Sequence, residues 1–297
     1  MEPSPRTVRG RVAAYVALTK PRIIELLMIT TVPTQIVAAQ GIPSLWLIAA
    51  TVIGGTMAAG GANAINMVVD RDIDSVMRRT RHRPLVTGEI TARAALTFAI
   101  ALEAAAFVWF ATFVNLLSAA LGVAACLFYV FVYTLWLKRS SRHNIVIGGA
   151  AGAVPVLIGW SSVTGSLAWP PVILFAVIFY WTPPHFWALA IRYRDDYAAA
   201  AVPMLPAVVS VKKTATRIVA YTVALWALTL AFAPVAGMGG VYLVAAAGLG
   251  GVFTWLAVEL VRTANPNSAV RLFSWSITYI VLLFGAMAID ELLRSGV

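Results

Sequence analysis

Three groups of side chains in this 297-residue chain have the types and spacing to handle a phosphorylated ligand. In Asn66-Met67-Val68-Val69-Asp70-Arg71-Asp72-Ile73-Asp74, the residues Asn66, Asp70 and Asp74 recur every fourth position. On a helix they share one face and span about 12 Å along the axis. Carboxylates one turn apart repel each other, and a helix C-terminus disfavours negative charge further. A divalent cation removes both objections, because Mg²⁺ accepts one or two carboxylates and takes its remaining ligands from water and a substrate phosphate. The plainer alternative is a solvated helix end pairing with Arg71 and Arg78; Asp72, on the opposite face, reads as solvated.

The second group is Pro183-Pro184-His185-Phe186-Trp187-Ala188-Leu189-Ala190-Ile191-Arg192-Tyr193-Arg194-Asp195-Asp196-Tyr197. Helical steps bring His185, Arg192 and Asp196 within about 20° of one another, with His185 about 16 Å deeper than Asp196. Asp195 and Asp196 form a second candidate metal-diphosphate pair, against interfacial pairing with Arg192 and Arg194. The third group is the run Arg78-Arg79-Thr80-Arg81-His82-Arg83-Pro84-Leu85. Guanidinium groups match phosphate or carboxylate oxygens bidentately, and Arg79 and Arg83, four apart, can face one ligand together. Anchoring at lipid headgroups accounts for the others. The candidate catalytic residues are thus Asn66, Asp70, Asp74 and Asp196, and the candidate metal ligands Asp70, Asp74, Asp195 and Asp196. Arg79, Arg83, Arg192 and Lys138 are the candidate diphosphate contacts.

The elements that must position these groups are membrane helices. Hydrophobic residues make up 61% of the chain and charged ones 11%, against about 25% charged in soluble domains. A bilayer core of roughly 30 Å takes about 20 helical residues. Nine apolar runs reach that length: Ile23–Gln40, Leu45–Val69, Thr91–Phe113, Leu116–Leu137, Asn144–Gly165, Pro170–Ile191, Ala215–Ala236, Val241–Val261 and Ala269–Leu293. Backbone groups in hydrocarbon must be satisfied internally, so each run must be a helix. The expected fold is an all-α polytopic bundle, with a basic segment at 1–22 and one intramembrane domain at 23–293.

The formal net charge of +10 would suggest nucleic acid if the chain were soluble. Instead, 21 of 22 Lys and Arg fall before the first span or in alternate loops on the same side, and only Arg294 lies opposite. That places the N-terminus in the cytoplasm and the C-terminus outside, with the lipid bilayer rather than nucleic acid as partner. The first twenty residues lack a long apolar core ending in a small-residue cleavage site, so no cleaved signal peptide is expected. The lone Cys126, inside an apolar run, excludes disulfides. Spans one to four and five to eight look like a parallel repeat, each with an acidic cluster after its second helix, and span nine is an addition.

Asn66-xxx-Asp70-xxx-Asp74 followed by Arg79-Thr80-xx-Arg83-Pro84-Leu85 resembles the first motif of the UbiA-type intramembrane prenyltransferases, as do the nine spans. Within them, Asn144–Ala153, Pro184–Ile191, Arg194-Asp195-Asp196-Tyr197 and Val202-Pro203-Met204-Leu205-Pro206 resemble the branch that farnesylates protohaem IX. A more regular DxxxD second motif marks the quinone-type members, whereas here Arg192 stands four before Asp196. The resemblance implies farnesyl diphosphate and haem B as substrates and Mg²⁺ as cofactor, in the cell inner (plasma) membrane. Farnesyl C1 would join a haem vinyl group, with water completing a hydroxyethylfarnesyl substituent. With such an acceptor, His185, an imidazole in an apolar stretch beneath the second acidic cluster, reads as a haem-binding axial ligand, the alternative being a hydrogen bond to a neighbouring helix or to the substrate. A haem A synthase or a terminal-oxidase assembly factor is the partner class that follows from such a product.

His82 and His143 read as solvated loop residues. Glu103, mid-span, is either functional or protonated and hydrogen-bonded. Glu25 lines the mouth or pairs with Arg22. Trp46, Trp136 and Trp169 read as interfacial anchors, and Gly148, Gly149 and Gly152 as close-packing positions. Three other functions compete: a prenyltransferase for a quinone or other aromatic acceptor, a membrane transporter, and a haem-handling assembly protein without catalysis. Both acidic clusters lie at one face rather than at the midplane, which weighs against transport.

Overall fold

The computed structural model describes residues 7–296, so the first six residues of the basic segment expected at 1–22 lie outside the described residues. The described chain opens with α1 (Val8–Thr19), turns at Lys20 into α2 (Pro21–Ala39), and continues through α3 (Leu45–Val69) and a short α4 (Arg71–Val76). After a loop come α5 (Ala92–Phe113) and α6 (Leu116–Leu127), which runs without a break through a π-helical stretch (Phe128–Leu137) into α7 (Lys138–Ser140). Then follow α8 (Asn144–Thr164), α9 (Trp169–Arg192), short α10 (Arg194–Ala199) and α11 (Leu205–Val208), and finally α12 (Val211–Ala236), α13 (Gly240–Thr263) and α14 (Pro266–Ser295).

Among the described residues, nine helices are long and apolar enough to cross a bilayer, as the sequence predicts. Their ends match the expected limits to within four residues, and α3 matches at both ends. The starts are legible because side-chain oxygens cap them. Ser44 accepts from Leu47 N at 3.2 Å, Thr91 from Ala94 N at 3.2 Å and Asn115 from Ser118 N at 2.8 Å. Gly165 and Gly237 end α8 and α12 in the left-handed conformation that lacks a steric penalty only for glycine.

Consecutive spans pack on one another, and α14 returns to α2 and α9 to close the bundle, while α2 also crosses onto α8. The second half shares one large core of aromatic and aliphatic side chains, including Trp187, Phe232, Tyr242, Phe253 and Tyr279. The first half packs through small residues instead: Gly54 faces the Phe110 ring, and Gly61 faces Glu103. Close approach of small residues is how helices associate where lipid supplies no hydrophobic drive. At the end opposite the basic loops a polar seam joins the spans. Gln35 Nε2 donates to Thr51 and Ser162 Oγ at 3.0 Å each, and Ser118 and Ser161 hydroxyls meet at 2.9 Å. Trp46, Trp136 and Trp169 are all exposed at helix ends, as interfacial anchors would be.

Four features add to or depart from expectation. Within the basic segment, residues 8–19 form a helix whose Ala14 and Leu18 pack with Ala64 and Met67 of α3 and Ala95 and Ala99 of α5. The helix carrying Asn66 stops at Val69, with Asp70 as a joint (φ −85°, ψ 4°) before α4. Likewise the predicted stripe from His185 to Asp196 is interrupted at Tyr193 (φ −105°, ψ 24°) before α10. Gly148 and Gly149 do make close contacts, with Tyr133 and Thr182, but a Cβ at Gly152 would meet nothing within 4 Å. The two joints have a common outcome: each leads into a six-residue helix with two acids in its first turn, Asp72 and Asp74 or Asp195 and Asp196.

Candidate active site

The break at Asp70 does not undo the four-residue spacing, because the backbone bonds Asp70 N to Asn66 O (2.9 Å) and Asp74 N to Asp70 O (2.8 Å) bridge the joint. Asn66, Asp70 and Asp74 therefore stay in line. They do not run out into solvent, however, for all three are buried. Buried carboxylates require partners. Lys138, at the end of the fourth span, pairs with Asp70 Oδ2, and Arg83 pairs with Asp74 Oδ2 at 2.5 Å. The partners are thus Lys138, far along the chain, and Arg83 from the following loop, rather than Arg71 and Arg78.

Asn66 links the acids to the α1–α2 corner and to the π-helical stretch. Its Nδ2 donates to Asp70 Oδ2 at 2.8 Å and to Thr134 Oγ1 at 3.0 Å, and its Oδ1 accepts from Lys20 Nζ at 2.7 Å. Thr134 in turn donates to the Tyr129 carbonyl, five residues back, at 2.8 Å. That bond suits the i to i−5 register of the π-helical stretch, a form concentrated at functional sites. Burial, then the charges of Arg83 and Lys138, push the Lys20 ammonium down to about 7, with Asp70 and Asp74 pulling the other way.

With Oδ2 of Asp70 occupied twice, its Oδ1 is left buried without a hydrogen-bond partner, and the nearest guanidinium, that of Arg139, stands 4.0 Å away. An orphaned anionic oxygen in this position suits a divalent cation. No group of three or more His, Cys, Asp and Glu side chains able to hold a metal by themselves occurs among the described residues. The donor set therefore fits a hard ion such as Mg²⁺, which is held by one or two carboxylates and completed by substrate phosphate. Asp72 is exposed, as expected, but it is not simply solvated: Arg139 donates to both its oxygens at 2.7 Å and holds its carboxyl at about 2.

The second cluster is more open. Asp195 is exposed and Asp196 half-buried on α10, and Arg192 is exposed at the end of α9. Arg79 joins this side to the first motif, with its guanidinium 5.5 Å from the centre of the Tyr193 ring and its charge acting on the Tyr197 phenol. Burial raises the Tyr197 phenol, while the charge of Arg79 lowers it. Ile73 and Met77 from the first motif share a core with Ile191 and Tyr197 from the second, so the two acidic segments flank one region of the bundle.

His185 lies deeper, buried and stacked on Trp181 (centroids 4.3 Å apart) and close to Phe273 (4.7 Å). Its Nδ1 is 2.7 Å from Ser276 Oγ, and that hydroxyl donates its only proton to the Phe273 carbonyl at 2.6 Å. In the tautomer in which Nδ1 donates to Ser276, Nε2 keeps its lone pair. His82, His143 and Glu25 are exposed. Glu103 sits against Gly61 with one carboxyl oxygen unpartnered, away from the acidic ladder.

Sequence reading passes over three contributors. Lys20 counts there only as a topological charge, and Thr134 has no signal outside the π-helical register. Asp290 lies inside the last apolar run, yet it is buried and accepts from Gly239 N and from Tyr242 N (3.1 Å), capping α13 at the far end of the bundle. An acid placed within a predicted span is the signal that could have marked it.

Comparison with known proteins follows the same lines. A family model described as the UbiA prenyltransferase family matches residues 27–283. The chain is 53% identical over 289 residues to the protoheme IX farnesyltransferase of Clavibacter michiganensis subsp. michiganensis, covering 96% of this chain and 94% of that one. Among solved structures, a digeranylgeranylglyceryl phosphate synthase superposes with a TM-score of 0.79 at 18% identity, over 96% of this chain and 99% of the other. A UbiA homologue from Archaeoglobus fulgidus, bound to GPP and Mg²⁺, does so at 0.63 and 17%, over 92% and 99%. At such identities the two structures establish a shared fold. With a family model spanning most of the chain and a relative 53% identical over 96% of it, the chain belongs to the UbiA prenyltransferase family.

Proposed function

We infer that the chain transfers the farnesyl group of farnesyl diphosphate to a vinyl group of haem B, giving haem O and diphosphate. The observation that carries the reaction type is the buried Asn66–Asp70–Asp74 ladder, with one free carboxylate oxygen and cationic groups gathered around it. The full-length relative named protoheme IX farnesyltransferase supports the acceptor.

In this reading Asp70 and Asp74, with Asp195 and Asp196 from the other side, hold Mg²⁺, which when bound neutralises the charge building on the departing diphosphate. Lys138 and Arg83 already stand on the two acids; Arg79 and Arg192 come from the rim. Their N–H groups aim at the phosphate oxygens, where charge develops as the C1–O bond of the allylic substrate breaks. Asn66 orients the Asp70 carboxyl. The apolar interior keeps water from the allylic cation until its C1 has bonded to the vinyl terminus; a water then adds to the adjacent carbon and loses a proton. His185 offers its free Nε2 to the haem iron from a ring already locked by Ser276, the arrangement typical of metal-binding histidines.

The reading extends to placement: the basic loops face the cytoplasm in the plasma membrane, and spans one to four and five to eight form a repeat. A haem A synthase or oxidase-assembly factor is the proposed protein partner. The test is haem extraction from membranes containing the protein, given farnesyl diphosphate, Mg²⁺ and haem B. Appearance of a more hydrophobic haem heavier by farnesyl and water, lost on chelation of divalent cations, is the expected result. Unchanged haem B in active membranes overturns the reading.

A further inference from the structure

Lys20 sits where the fold would be better served by glycine. It ends α1 and begins α2 at φ 54° and ψ 64°, the left-handed conformation that a side chain makes costly. The corner is nonetheless tightly fixed on α3. Asn63 Nδ2 donates to the Thr19 carbonyl at 3.0 Å, and Gly60 leaves room for the Thr19 side chain, which a Cβ there would meet at 3.2 Å. Asn66, the next residue along the same stretch of α3, receives the Lys20 ammonium at 2.7 Å. Three residues of one helix thus fix the corner and its cationic tip beside the acidic ladder.

The charges near that tip do not balance. Arg83 and Lys138 already pair with the two buried carboxylates of Asp74 and Asp70, and burial together with these two cations disfavours the Lys20 ammonium, a cost that a bound anion would remove. Lys138 and Arg83 each have a carboxylate partner, whereas among the described residues the hydrogen bond of Lys20 goes to the neutral amide oxygen of Asn66. An ammonium carries three donors, so this contact leaves two for another acceptor. A structure that brings a third cation to a site already holding its own counter-ions has room for an anion.

We propose that Lys20 is a diphosphate-binding residue, contributed by the α1–α2 corner, which grips the phosphate oxygens of the prenyl substrate beside Asn66. It rests on the reading that this cluster binds a prenyl diphosphate, and it adds a contact from the first membrane helix to those from the loops after α4 and the fourth span. The corner thereby makes α1 part of the site rather than a surface appendage.

The test uses the full chain in lipid nanodiscs with Mg²⁺, titrated calorimetrically with inorganic diphosphate, alongside KM and kcat for farnesyl diphosphate at fixed haem B. Lys20→Met should weaken diphosphate binding about tenfold or more and raise KM in parallel, as expected for losing a charge-assisted contact. Lys20→Gly removes the ammonium while relaxing the corner, so the same loss must appear in a chain at least as stable as the parent. Lys20→Arg should return binding to within about threefold, since a guanidinium keeps both charge and donors. If Lys20→Met and Lys20→Gly bind diphosphate as tightly as the parent chain, the assignment fails while the prenyl diphosphate reading stands. If the parent chain itself binds no diphosphate, both fall.

Discussion

Asp70 is the residue on which the site turns, because its two oxygens do different work. Oδ2 is taken by Asn66 and Lys138, and Oδ1 has no hydrogen bond. Asp70→Asn keeps the shape but replaces the anion with an amide, leaving Lys138 without its counter-charge. Turnover is expected to drop by about 10²–10³ or more, with normal membrane insertion, since loss of one preorganised electrostatic group at a reacting centre has that scale. Near-parental rates in this variant would remove the metal-clamp role. His185 makes a separate expectation, because Ser276 engages its Nδ1 and leaves Nε2 as the ring atom to meet a ligand. His185→Ala should change the absorption spectrum of bound haem B and weaken its binding, and Ser276→Ala should weaken it less, by about tenfold. A spectrum and affinity identical to the parent chain would exclude axial ligation.

The fourth span joins two distant needs, and the helix form it adopts is what allows this. Its π-helical stretch carries Tyr129, Tyr133 and Thr134, then delivers Lys138 to Asp70. The Tyr133 ring lies against Gly148 of α8 so closely that a Cβ there would stand 2.3 Å from Cδ2. Gly148→Ala must therefore displace the π-helical stretch or α8. The expected outcome is a lower apparent unfolding temperature, equivalent to about 1–3 kcal/mol of overpacking, together with reduced kcat through misplacement of Lys138. Gly152→Ala, four residues on and with open space around its Cβ, serves as the comparison and should leave both quantities unchanged. Equal behaviour of the two variants would mean that the Tyr133 contact does not set the position of the span.

At the level of the whole bundle, the two ends have different duties. The basic end gathers the acids, lysines and arginines of the site, while the opposite end is sealed by hydrogen bonds among Gln35, Thr51, Ser162, Ser118 and Ser161. Asp290 belongs to that sealed end, where it caps α13 through Gly239 and Tyr242. Asp290→Ala leaves those amide groups short of an acceptor, so a loss of about 1–3 kcal/mol in apparent stability is expected. KM for farnesyl diphosphate should not move, because the change is confined to the other end. A rise in KM without a change in unfolding temperature would contradict this division.

Hydropathy and charge order along the chain suffice for the number of spans, their ends and the Asn66–Asp70–Asp74 spacing, because in lipid the backbone must bond to itself and side-chain caps are local. The acids were legible as a candidate metal site because like charges placed one turn apart need an explanation. What they pair with was not legible: Lys138 reaches Asp70 from the fourth span, and it is Arg83 rather than the nearer Arg78 that turns back to Asp74 from the loop after α4. Nor could spacing foretell that the helix breaks at Asp70 and Tyr193, or that residues 8–19 fold onto α3 and bring Lys20 to Asn66. Those outcomes depend on which helix faces meet in the packed bundle, and that is decided only when distant segments of the chain compete for the same buried space.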